Sequence, residues 1–75
     1  MIELYTLISE VMRIPTEEIS DSFSMNDSDA WDSLKHMELI VSIENKFNVD
    51  LSADDIVEMI DIKSIKKILN KKGAI

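Results

Sequence analysis

The chain has no cysteine, and only one glycine, one proline and one histidine among its 75 residues. Without cysteine there is no disulfide framework, no zinc thiolate and no thiol nucleophile. The single histidine, His36, is too little for a histidine-based metal centre and reads as a solvated or partly packed helix residue. One glycine cannot build a glycine-rich phosphate loop, and scarce glycine and proline favour packed helices over a turn-rich β fold. No long apolar run occurs, and the opening Met1-Ile-Glu-Leu-Tyr lacks a positive stretch, so neither a signal peptide nor a membrane span is expected and the protein reads as cytoplasmic. Asp27, Asp29 and Asp32 fail as a calcium loop, because Ala30 and Trp31 stand where oxygen ligands are needed and no glycine makes the turn.

Basic residues are also few, with 8 Lys and Arg against 15 Asp and Glu, for a net charge of −7. The imbalance is uneven. Residues 1 to 30 set seven acids against Arg13, residues 31 to 60 set seven against Lys35 and Lys46, and residues 61 to 75 set Asp61 against five lysines. The first two segments are therefore acidic and the last is basic. An acidic body disfavours nucleic acid and anionic membranes as partners and suits basic protein surfaces.

What remains is 45% apolar and helical in pattern. A chain this short makes one domain, residues 1–75, that needs an efficient core. Ile2, Tyr5, Ile8, Val11 and Met12, widened by Leu4 and Leu7, predict a first helix over 2–12 that Pro15 closes. Ser20 to Asp32 has no apolar period and reads as a long loop, pinned inward by Phe23, Met25 and Trp31. A second helix is predicted from Asp32 or Ser33 to Phe47, carrying Leu34, Met37, Ile40, Val41, Ile43 and Phe47, with Asp32 as N-cap. Ser52 and Asp55 form a capping-box pattern before a short third helix over 53–59, and Ile62, Ile65, Ile68 and Leu69 mark a fourth that ends near Gly73. The expectation is all-α: a four-helix bundle of three longer helices and one short third helix.

Ser33 stands where an acidic loop turns into this second helix. A hydroxyl there clears the helix barrel, and a phosphodiester on it would lie against free N–H groups and the positive end of the helix dipole. Asp32-Ser33-Leu34, followed by Glu38-Leu39-Ile40, Ile43-Glu44 and Phe47, resembles the modification site and second helix of the acyl carrier protein family, in its free-standing type. The resemblance covers nearly the whole chain and implies a carrier rather than an enzyme. It implies 4′-phosphopantetheine on Ser33, with Asp32 and Leu34 beside it, and a docking surface of Met37, Glu38, Val41 and Glu44. Implied partners are a phosphopantetheinyl transferase using coenzyme A and magnesium, an acyl- or aminoacyl-loading ligase, and a downstream acyltransferase or synthase, met by a monomer. Packing into the core is the competing reading for Met37 and Val41.

Carrier proteins of fatty-acid synthase usually place acids directly after Asp-Ser-Leu and near the end of the second helix. Lys35, Asn45 and Lys46 occupy those places here. The pattern resembles carriers of specialised pathways, leaving an amino-acyl or hydroxy-acyl cargo open beside an acyl one. An unmodified helical interaction module is the third reading.

Overall fold

In a computed structural model, which describes residues 2–26 and 29–75, four α-helices succeed one another. They are α1 (Ile2–Met12), α2 (Ser33–Phe47), α3 (Ala53–Glu58) and α4 (Ile62–Lys71), with a 3₁₀ turn at Thr16–Glu18. Asp27, the first acid of the rejected calcium loop, lies outside the described residues. Each long helix turns one stripe inward: Leu4, Ile8, Val11 and Met12 from α1, Leu39, Ile40 and Ile43 from α2, and Ile62, Ile65, Ile68 and Leu69 from α4. The spacings are three and four residues, so each set shares a face at about 3.6 residues per turn. Ile19, Trp31 and Met59 complete the core.

Four expected stripe members, Ile2, Leu34, Met37 and Val41, fall outside it. Ile2 is exposed, since Leu4 and Ile8 set the axis of the α1 stripe and leave the first residue beyond it. Leu34 is 78% exposed, and Leu39, absent from the predicted stripe, is buried in its stead. The inward face of α2 runs through 36, 39, 40 and 43, which puts 34 and 41 on the opposite side.

Helix ends are closed by local bonds. Asp32 caps α2 by accepting from the Lys35 N–H at 2.9 Å. The Ser52 hydroxyl accepts from the Asp55 N–H while Asp55 accepts from the Ser52 N–H, a complete capping box for α3. At the other ends, Arg13, Asn48 and Gly73 take left-handed conformations, and the next residue donates back to the last helical turn: Ile14 to Ser9, Val49 to Glu44 and Ala74 to Leu69. The first helix thus stops at Met12 through Arg13, before Pro15 is reached.

The long loop is tied to the start of α4. Met25 donates to the Ile60 carbonyl, Ile62 to Phe23 and Lys63 to Asp21, while Ser64 N–H is capped by Asp61. Three first-turn N–H groups of α4 are satisfied this way. Lys66 anchors the same loop, pairing with Asp21 at 2.6 Å and lying 4.8 Å over the Tyr5 ring, whose hydroxyl also donates to Asp21. Lys66 first and Tyr5 second hold the Asp21 carboxyl below its usual range, and Asp21 raises Lys66 in return. No helix among the described residues is long and apolar enough to cross a membrane.

Lys72 lies 2.8 Å from Asp55, joining the end of α4 to the start of α3. The Lys72 bond, then the Ser52 N–H, lower the Asp55 carboxyl from 3.8 to about 2. A depressed carboxylate stabilises the fold fully above its unfolded value of 3.8 and loses that contribution as pH falls through about 2. Asp55→Asn should lower the melting temperature at neutral pH and reduce the loss of stability between those two values. Thermal melts of both proteins at stepped pH check it.

Candidate functional site

Ser33 is the first residue of α2 and is exposed. Two neighbours fix it there. On one side Trp31 is 1% exposed, stacked on Phe23 with ring centroids 5.7 Å apart. On the other, His36 is buried one turn into the helix. The indole Nε1–H of Trp31 donates to Nδ1 of His36 at 3.0 Å, and the other imidazole nitrogen lies 2.8 Å from the Ile56 carbonyl on α3. The hydroxyl of Ser33 is thus held outward because the residues bracketing it are locked inward.

His36 is the main correction to the sequence reading. A solvated or partly packed histidine was expected, whereas this one is 8% exposed with both ring nitrogens bonded. Burial of a ring with two polar atoms is tolerable because each has a partner. The signal was Trp31 five residues earlier, a donor in need of an acceptor, but the Ile56 partner lies twenty residues away and no local pattern announces it.

Asp32 points its carboxylate back at the Lys35 N–H, and its own carbonyl accepts from the His36 N–H at 2.8 Å. The N–H groups of Ser33 and Leu34 have no hydrogen-bond partner among the described residues. An exposed hydroxyl, two N–H groups that lack an intrahelical acceptor and the positive end of a fifteen-residue helix therefore share one turn. These residues fit a phosphodiester on Ser33: its oxygens are acceptors and the turn offers unpaired donors. Among the described residues no cluster of three or more His, Cys, Asp or Glu could hold a metal.

Leu34 is 78% exposed, Met37 50% and Val41 53%, in line along the side of α2 opposite the core. Core packing is therefore excluded for Met37 and Val41. Glu38 lies among them, exposed and paired with Lys35 at 3.2 Å. Glu44 differs from the other candidates: it is half-buried, and its carboxylate accepts from the Leu51 N–H at 3.0 Å, holding the α2–α3 connection. Two exposed apolar residues escaped the sequence reading, Val57 on α3 and Ile60 just after it, because a six-residue helix is too short to show a stripe.

The profile of the phosphopantetheine attachment site family matches residues 3–70. Among similar proteins, the acyl carrier protein of Buchnera aphidicola is 36% identical over 66 residues, which is 87% of this chain and 84% of that one. The acyl carrier protein of Chloroherpeton thalassium is 31% identical over 71 residues, covering 93% of this chain and 89% of that one. Among solved structures, a holo acyl carrier protein from Geobacter metallireducens superposes with a TM-score of 0.84 at 29% identity, over 96% of this chain and 83% of that one.

Adjacent residues 40 and 41 should respond oppositely to the same change. Val41→Asp should stay folded within about 0.5 kcal/mol of the parent, as exposed positions do. Ile40→Asp places an unpaired charge where exposure is 2%, and should cost roughly 3 kcal/mol or more of a stability of about 5. Urea titration followed by circular dichroism separates the two.

Proposed function

The chain belongs to the acyl carrier protein family, whose members carry covalent 4′-phosphopantetheine and are not themselves catalysts, and from that premise we propose that Ser33 is the attachment residue of one cytoplasmic, monomeric carrier domain spanning residues 1–75. The arm supplies a terminal thiol on which an acyl group is held as a thioester. The observation carrying the reading is the exposure of Ser33 at the head of α2, where the Ser33 and Leu34 N–H groups have no hydrogen-bond partner among the described residues.

Each neighbouring residue has a definable task. Asp32 fixes where the helix begins by capping it, which sets the direction of the Ser33 hydroxyl. Leu34, Met37 and Val41 form the apolar line a partner covers, and burying such side chains supplies most of the affinity of a small interface. Glu38 gives that line an acidic edge for a basic partner surface. Glu44 contributes chiefly by holding the Leu51 turn, so its place in docking is secondary. Enzymes of acyl metabolism are the partners: a phosphopantetheinyl transferase, a loading ligase, and an acyltransferase or synthase.

The carrier serves a dedicated pathway. Glu38 is paired with Lys35, and Asn45 and Lys46 are exposed near the end of α2, so this helix offers a basic partner less negative charge than fatty-acid-synthase carriers do. Exposed pairs contribute about 0.2 to 1 kcal/mol each, and three changes together slow encounter by roughly one to two orders of magnitude at low salt.

Incubation with coenzyme A, magnesium and a broad-range transferase should add the mass of one phosphopantetheinyl group to the parent and none to Ser33→Ala. Gain of the group by Ser33→Ala, or its absence from the parent, would overturn the assignment. The triple variant Lys35→Asp, Asn45→Glu, Lys46→Glu should speed turnover by fatty-acid-synthase enzymes. A parent that already matches their own carrier would contradict the dedicated role.

A further inference from the structure

His36 is a buried titratable group that carrying an arm does not require, and its bonding is compatible with one protonation state. The indole N–H of Trp31 is a donor only, so Nδ1 of His36 must present a lone pair. The Ile56 carbonyl is an acceptor only, so Nε2 must carry the proton. The ring is therefore neutral, in its Nε2–H tautomer. A second proton on Nδ1 would set two donors against each other at 3.0 Å inside the core, and one bond of the chain has to break.

The bonds connect particular parts of the molecule. Among the described residues, no other hydrogen bond or ion pair runs directly from α2 to α3. The Ile56 carbonyl belongs to the last turn of a six-residue helix, where it also accepts the Met59 N–H at 3.4 Å, and His36 is its second and shorter partner at 2.8 Å. At its other end the chain of bonds reaches Trp31, two residues before Ser33. Opening it would loosen α3 against α2 and release the indole that holds the helix head in place.

No carboxylate among the described residues is bonded to the imidazole. On α2, Asp32 is turned to the Lys35 N–H and Lys35 is paired with Glu38. On α3, Asp55 is held by Ser52 and Lys72, while Asp54 and Glu58 are exposed. In the loop, Asp29 is exposed. No ion pair to His36 exists among the described residues.

We propose that Trp31, His36 and the Ile56 carbonyl form a proton-operated clasp, closed while His36 is neutral and opened by its protonation, which positions the head of α2 and the adjoining α3 for the enzyme that loads Ser33. His36 is a positioning residue in this arrangement, acting on Ser33 through Trp31. The loading role rests on the reading of Ser33 as the attachment residue, whereas the clasp itself does not.

The chain has one tryptophan and one histidine, so each partner reports separately. Emission of Trp31 and the ring NMR signals of His36 are followed in the parent as the pH is lowered from about 8 to about 5. Both should move in one shared step while circular dichroism shows the helices retained. His36→Gln, which keeps an acceptor and a donor but cannot titrate, should show no emission step. The rate of phosphopantetheinyl transfer to the parent, divided by that to His36→Gln under the same conditions, cancels the enzyme's own pH dependence. That ratio should fall about two- to tenfold across the step, the range of one buried hydrogen bond. Trp31 emission that stays flat while His36 titrates would overturn the clasp, and a flat ratio would overturn its role in loading. If His36→Gln does not fold, the two signals of the parent still decide the clasp. If neither protein accepts the arm at any pH, it is the Ser33 reading that fails, and the emission step alone decides the clasp.

Discussion

A buried indole two residues before an exposed hydroxyl is the constraint on which the site depends. Trp31 is sealed against Phe23 and bonded to His36, and the backbone must turn outward within one residue to reach Ser33. Asp32 makes that turn by capping α2, which favours a helix start at Ser33. Cap, indole and imidazole together give a serine at the loop margin a fixed bearing. On the reading of Ser33 as the attachment residue, that bearing lets a partner meet the hydroxyl at one place relative to the apolar line of α2.

The same economy appears in the charges. Of the five lysines near the end of the chain, Lys66 and Lys72 are spent on Asp21 and Asp55, tying the long loop and α3 to α4. The basic segment is thus partly internal cement for an acidic molecule. What it leaves to solvent on α2 is an apolar line with a muted acidic edge, which suits a partner selected by shape and apolar contact more than by long-range attraction.

Much of this was legible from local chemistry. The four helices arise from spacing, Asp32 and the Ser52 and Asp55 pair from cap preferences, and Gly73 from its fit to a left-handed turn. Arg13 and Asn48 close helices in the same way without a glycine to mark them, since their conformations are imposed by the packing of Ile14 and Val49 against the core. The rotation of α2 was readable only in part: Val41 was open between core and surface, and Leu39 was missed, because an apolar residue on every side blurs the stripe. His36 and Glu44 were least legible. Their bonds, to Ile56 and Leu51, depend on where the chain returns in space, and residue identity at 36 and 44 is silent on that.

Amide chemical shifts of the protein before and after transferase treatment test most directly whether the head of α2 is the seat of the arm on an otherwise unchanged fold. The predicted result is a set of shifts centred on Ser33, Leu34 and Lys35, fading by Leu39, with the core amides of α1 and α4 unmoved. Shifts centred on another serine, or spread through all four helices, would contradict it.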